Sequence, residues 1–267
     1  MKTGEEMEKV KTASLVLNQF QQAVWQYLVA IVGIMSPDEG SVEGTGTIIE
    51  LGGRVLLVTA EHVISQIEAK GYLGVAFSNG NNKAYTCAPG PFIKHPPIDV
   101  AFVCIPRPEL PASDRLVCPE RLIGRSSTGV EKDLLFIDGF PGNDSKFWQL
   151  LKGIRSKTFT FAAYAGVSKW AAFDPAIHFA IRFEPNHCIG IDGKSADMPI
   201  PPDGLSGTAV WNMRRKEVGP NWTPEDGRVV GIVQRWDPDG QCLIATRIEH
   251  ILPFVRTWGL HACQNAL

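Results

Sequence analysis

From Tyr27 onward the chain is cut into short runs of β-branched and apolar residues, each bounded by Gly, Pro, Asn, Asp or Ser. That texture suits the strands of an antiparallel fold and leaves little room for long helices. The clearest instance is Gly52-Gly53 between Ile48–Leu51 and Val55–Val58. Glycine reaches positive φ at both central positions of a tight hairpin without a Cβ clash, so these two runs are expected to pair. Tyr27 to Met35, a polar turn at Ser36 to Gly40, Gly44 to Leu51 and Val55 to Thr59 then read as a meander. A short helical turn at Glu61 to Lys70 and strands at Tyr72 to Phe77, Ala84 to Cys87 and Val100 to Ile105 complete a first barrel.

Pro106 to Pro119, which holds four prolines, reads as a connector. Leu134 to Phe140, Thr158 to Ala163, Ile177 to Phe183, Thr208 to Trp211, Val229 to Arg235 and Cys242 to Thr246 suffice for a second barrel. Helical periodicity occurs at the two ends. Val10, Leu15, Leu17, Phe20, Val24 and Trp25 suggest an amphipathic N-terminal helix, and Ile248, Ile251, Leu252 and Val255 a C-terminal one with Pro253 near its first turn. The expected organisation is an N-terminal helix over 1–26, a first barrel over 27–118, and a second barrel with the C-terminal helix over 119–267.

Other classes lose support from the totals. The 267 residues, 44% hydrophobic and 20% charged, fit one compact globular unit. A formal net charge of −2, with only Arg214-Arg215-Lys216 as a basic run, gives a nucleic-acid backbone nothing to bind. No phosphate-binding glycine loop occurs. Tyr27 to Met35 is too short to cross a bilayer, so no membrane span is expected. The six cysteines have no CxxC spacing, and no secretory leader opens the chain. They are expected to be buried thiols in a reducing, cytoplasmic setting. His95, His178, His187, His250 and His261 lack metal-ligand spacing, so neither a metal nor an organic cofactor is expected.

Three segments carry chemistry together: Leu56-Leu57-Val58-Thr59-Ala60-Glu61-His62-Val63, Ile98-Asp99-Val100-Ala101-Phe102-Val103, and Pro202-Asp203-Gly204-Leu205-Ser206-Gly207-Thr208-Ala209-Val210. In the first, a histidine stands where a strand gives way to a helical turn, at a barrel rim where a general base meets substrate. In the second, an aspartate opens an apolar strand, where a half-buried carboxylate can fix an imidazole tautomer. In the third, glycines bracket a serine in a tight turn that can aim successive backbone N–H groups into one small space.

With its order of His, Asp and Ser and strands around each, the chain resembles the trypsin-like serine proteases of chymotrypsin fold, in an intracellular, microbial-type form. The resemblance spans roughly residues 27 to 258, and its specific part is the three motifs. It implies an all-β fold of two packed six-stranded antiparallel β-barrels, with the two helices added. It also implies that His62 is the general base and later acid, Asp99 its orienting carboxylate, and Ser206 the nucleophile. The N–H groups of Gly204 and Ser206 would form the oxyanion hole. The specificity pocket would involve Ile200 and the strand residues Gln234, Arg235 and Trp236, with Ile200 arguing against a basic P1 residue and Arg235 favouring an acidic one.

Two departures from the secreted digestive members stand out. Leu205 replaces the aspartate that pairs with a freshly cut N-terminus, and Val63 replaces the disulfide-bonded cysteine beside the histidine. The implied function is a serine endopeptidase acting on an intracellular protein or peptide. Its activity would be gated at the Asp203–Gly207 loop or by an activating protein partner on the N-terminal helix. Among the bland readings, each triad residue taken singly is an ordinary structural histidine, strand-start aspartate or turn serine. A second hydrolase reading combines Ser206, Asp237 or Asp239, and His250 in the chain order of α/β-hydrolases, although Thr208 stands where that pattern needs glycine. A different class of reading is a catalytically silent module that binds peptide along the barrel cleft as an added strand. The loop Met213 to Gly227 is a further candidate contact surface.

Overall fold

The computed structural model describes residues 4–36, 39–70, 72–77, 84–85, 91–106, 117–142, 146–148, 153–155, 158–184, 188–190 and 201–264. Helix α1 (Gly4–Val24) leads into β1 (Leu28–Ser36), β2 (Glu39–Leu51), β3 (Arg54–Thr59), α2 (Glu61–Lys70), β4 (Tyr72–Phe77), β5 (Ala84–Tyr85), β6 (Ile93–His95) and β7 (Val100–Cys104). These strands form one antiparallel sheet in the order β5-β4-β1-β2-β3-β7-β6. The expected Gly-Gly hairpin is present: Ile48 faces Leu57 and Leu51 faces Arg54, with φ of 59° at Gly52 and 75° at Gly53.

The second half runs β8 (Leu135–Gly139), β9 (Lys146–Trp148), β10 (Gly153–Arg155), β11 (Phe159–Ala163), β12 (His178–Arg182), β13 (Ile189–Gly190), β14 (Ala209–Asn212), α3 (Arg215–Val218), β15 (Arg228–Asp237), β16 (Cys242–Arg247) and α4 (Ile248–Gln264). Its main sheet has the order β12-β16-β15-β14-β8-β11-β13, and β9 and β10 form a separate ribbon. Each main sheet wraps its own apolar core. The first is built on Val29, Ile31, Leu57 and Val103, the second on Ile137, Phe161, Ile181 and Val233.

This is the all-β fold of two antiparallel sheets expected, with two flanking helices and seven strands in each main sheet where six were expected. The unanticipated strands β6, β9, β10 and β13 are two or three residues long, below the length at which alternation can be read from sequence.

A third core fills the seam between the barrels and receives both terminal helices. Helix α1 inserts Leu17, Phe20 and Val24. The Phe20 ring stands edge-on to Phe136 at 4.9 Å and to Trp211 at 5.8 Å. Leu15 and Trp25, expected on the apolar face, are exposed at 60% and 37%; Trp25 lies past the helix end in a 3-10 turn that changes the angular period. From the other end, α4 lays Ile251, Leu252 and Val255 into the same seam. The helix runs through Pro253, which lies early in it, where few intrahelical bonds are lost.

The cysteines depart from expectation at one place. Cys118, Cys188 and Cys242 are buried free thiols, and burial raises all three above the ordinary thiol value, Cys188 and Cys242 to about 12. Cys104, however, is disulfide-bonded. The cysteine spacing has no CxxC pair to signal such a bond, which depends on where the fold brings two sulfurs together. Titration of the denatured, unreduced protein is therefore expected to find fewer thiols than the six it finds after reduction. A count of six before reduction would refute the bond.

One buried acid ties α1 to the second barrel. Gln21 Nε2 donates to Thr160 Oγ1 at 2.6 Å, and that hydroxyl donates to Asp138 Oδ1 at 2.7 Å. Asp138 is 2% exposed, and its Oδ2 has no partner among the described residues. Burial raises its pKa from 3.8 to about 7, only partly offset by the Thr160 hydroxyl. A carboxyl whose folded pKa is raised stabilises fully below its unfolded pKa and loses that contribution as pH rises through the folded value. Wild-type stability is thus expected to fall between about pH 4 and pH 7 by an amount on the order of 4 kcal/mol from this group. Denaturant melts of Asp138→Asn at pH 5 and pH 8 check this: the variant gains on wild type mainly at pH 8, and equal gains at both would contradict it.

Candidate active site

His62 lies in the first turn of α2, where β3 ends. Asp99 ends a 3-10 turn made by Pro96–Ile98 and opens β7. It sits in the left-handed region at φ 48°, a conformation Asp tolerates better than most residues but still at some cost. The placement aims its carboxylate at α2. Oδ2 lies 2.8 Å from His62 Nδ1, and Oδ1 lies 3.0 Å from Nδ1 and also accepts the His62 backbone N–H at 3.0 Å. Asp99 therefore does two things at once: it orients the imidazole and satisfies one of the unpaired N–H groups of the α2 N-terminus. The two side chains are 32% and 17% exposed, so the ring's other edge is open to solvent. Glu61 turns to its own helix and accepts the Ser65 hydroxyl.

Ser206 stands between Gly204 and Gly207, both at φ 89°. A Cβ on Gly207 would collide with the Thr45 carbonyl and the Thr59 hydroxyl, and one on Gly204 with the Phe140 carbonyl. Only glycine lets this loop sink so far into the other barrel. The Asp203 carbonyl accepts Gly142 N–H at 2.8 Å. In a planar trans peptide the N–H points opposite to the C=O, so Gly204 N–H projects away from Gly142. Among the described residues, neither Gly204 N–H nor Ser206 N–H carries a hydrogen bond, which leaves a pair of donors beside the hydroxyl. Leu205 is buried in the second barrel's core, which anchors the loop by packing.

The Ser206 hydroxyl donates to the Gln234 carbonyl at 2.9 Å. No hydrogen bond joins it to His62 among the described residues. The structure thus brings His62 and Asp99 into direct contact and sets Ser206 against β15, with its hydroxyl turned to that strand.

The expected pocket residues divide. Ile200 lies outside the described residues. Gln234 contributes its carbonyl alone: its side chain is 2% exposed and donates to the Ile98 carbonyl at 2.7 Å and to Thr246 Oγ1. Arg235 is exposed, and its guanidinium lies 4.3 Å above the Trp170 ring. Trp236 packs edge-on to Phe183 at 5.2 Å.

Asp237 builds the platform beneath Arg235. Its Oδ2 accepts Ser168 Oγ and the N–H groups of Lys169 and Trp170 at 2.7 to 3.0 Å, and Oδ1 accepts Gly240 N–H at 3.0 Å. Burial would raise this carboxyl, but the four hydrogen bonds prevail and hold it below its ordinary value. The α/β-hydrolase combination loses its partners here, because Asp237 is engaged with the 168–170 loop and His250 Nε2 lies 2.8 Å from the Ala176 carbonyl.

No family model matches the chain, and no curated protein matches it. Among solved structures it is similar to Rv3671c from M. tuberculosis H37Rv in two forms. One is the inactive form of a serine-to-alanine mutant, 14% identical, with a TM-score of 0.49 over 92% of this chain and 93% of that one. The other is the Rv3671c protease in its active form, 16% identical, with a TM-score of 0.49 over 91% of this chain and 85% of that one.

Thr45 is the site residue that motif reading missed. Its N–H donates to the Ser206 carbonyl at 2.8 Å, its hydroxyl donates to the Gly204 carbonyl at 2.8 Å and accepts Phe140 N–H at 2.9 Å, and its carbonyl accepts the Thr59 hydroxyl at 2.8 Å. The available signal was Gly44-Thr45-Gly46 inside an apolar strand, since glycine in a strand interior marks close approach of another backbone. Thr45→Val is expected to cost on the order of 2 kcal/mol in denaturant melts by leaving a buried carbonyl and N–H unpaired, with Thr45→Ser close to wild type. A valine variant as stable as wild type would contradict the clamp.

Proposed function

We propose that the chain is a serine endopeptidase in which Ser206 is the nucleophile, His62 the base and Asp99 its orienting carboxylate. The observation that carries this reading is the paired contact of Asp99 with the His62 ring and backbone, beside a serine held in a two-glycine loop with unbonded N–H groups. Ser206 Oγ leaves the Gln234 carbonyl, passes its proton to His62 Nε2 and attacks the substrate carbonyl carbon. Gly204 and Ser206 N–H groups receive the developing oxyanion. His62 returns the proton to the leaving amine, and water then releases the acyl group by the same route.

The rotation of Ser206 away from Gln234 is the gate in this reading. An activating partner on α1 would act through Phe20, which touches Trp211 on the strand that leaves the serine loop. We assign the enzyme to the cytoplasm with a protein or peptide substrate, supported by the free thiols of Cys118, Cys188 and Cys242. The Cys104 disulfide weighs against a strictly reducing compartment. Among the described residues no helix is long and apolar enough to cross a membrane.

The test is covalent labelling with a fluorophosphonate probe, which reports an activated serine without knowledge of the substrate. Labelling of wild type that disappears in Ser206→Ala and His62→Ala, and falls at least about a hundredfold in Asp99→Asn, is the expected result. Folded wild type that never labels would favour the silent peptide-binding module. Arg235, an exposed cation fixed on Trp170 beside the nucleophile's strand, supports a preference for an acidic side chain upstream of the cleaved bond. In a cleavage screen of peptide libraries, Arg235→Glu is expected to replace that preference with a basic one, by tenfold or more in relative kcat/KM.

A further inference from the structure

Two adjoining cavities flank the 120–128 segment, one toward Leu51 and the C-terminal helix, the other toward Asn212, Arg214, Glu217 and Arg228. One, of about 270 Å³, is bordered by Glu120 and Arg256, the other, of about 390 Å³, by Arg214, Glu217 and Arg228; both share Arg121 and Arg125. Five arginines therefore face two glutamates in a protein whose formal net charge is −2.

The glutamates are already engaged. Glu217 pairs with Arg214, and Glu120 lies 3.7 Å from Arg256 while accepting Gly52 N–H at 3.0 Å. Nearby Asp226 is bonded to Thr223 N–H at 2.8 Å. Arg228 donates to the carbonyls of Glu225 and Gly227 at 2.7 and 2.8 Å. Arg121 and Arg125 have no carboxylate or carbonyl partner among the described residues. Burial of Arg228, with Arg214 and Arg121 close by, disfavours its charged form, so an anion entering the cleft would relieve existing repulsion. Ser126 and Thr128 line the larger cavity; their hydroxyls are bonded to each other, which leaves one neutral O–H donor.

We propose that this cleft binds a small molecule bearing two or more linked phosphoryl groups. Forked guanidinium donors match phosphate oxygens, and two cavities sharing a pair of arginines suit two adjacent tetrahedral anions better than one carboxylate. The combined space is that of a small-ligand site. Arg228 opens β15 six residues before Gln234, roughly 20 Å along an extended strand, so this site is separate from the triad and does not depend on the protease reading.

Calorimetry and thermal denaturation of the full chain with inorganic pyrophosphate, at fixed ionic strength, test it. The expected result is saturable binding with a raised Tm, weakened about tenfold or more in the Arg121→Ala/Arg125→Ala double variant. Both side chains are exposed, and circular dichroism would verify that the variant keeps its fold. Adenosine diphosphate binding more tightly than pyrophosphate would mark a nucleotide as the natural source, and equal binding an inorganic polyphosphate; either upholds the proposal. It is overturned if chloride at the same ionic strength gives the same shift, if the double variant binds as well as wild type, or if an oligoglutamate peptide of equal charge matches pyrophosphate and so assigns the cleft to an acidic protein segment.

Discussion

The backbone of Gly207 lies so close to the Thr45 carbonyl that no side chain fits between them, and the rest of the site hangs on that approach. With Gly207 seated, Thr45 can bond the carbonyls of Ser206 and Gly204 and the N–H of Phe140, which stitches the serine loop of one barrel to a central strand of the other. The same strand pairs with β3, whose end delivers His62. A few hydrogen bonds across the barrel seam thereby set His62 and the Ser206 loop in one frame.

The terminal helices serve that seam. Phe20 from α1 wedges against Trp211 and Phe136, and α4 closes the opposite side with Ile251 and Val255. Burying large side chains here makes the relative placement of the barrels a matter of close packing, which tolerates little sliding. Asp138 lies within this contact with one oxygen unpartnered, so the contact couples to proton concentration in a way a purely apolar seam would not.

Strand texture, the Gly52-Gly53 hairpin, both helices and the three motif residues were legible because each leaves a local pattern: alternation, paired turn glycines, a helical period, or a residue at a strand boundary. The short strands β6, β9, β10 and β13 were not, since two or three residues carry no period. Leu15 and Trp25 fit the helical period and are nonetheless exposed. Gln234 illustrates another limit. Its strand is read from the sequence, yet its amide turns inward to Ile98 and Thr246, a contact that no local pattern specifies.

By itself, then, the sequence determined the fold class and the helical ends and singled out His62, Asp99 and Ser206 as candidates, since these depend on patterns within a few residues of each other. Tertiary structure alone decided the Thr45 clamp, the resting contact of Ser206 with Gln234, the Cys104 disulfide, the Trp170 platform under Arg235 and the cleft of arginines. Each of these joins groups far apart in the chain, and no local pattern specifies a distance that exists only once two barrels have packed.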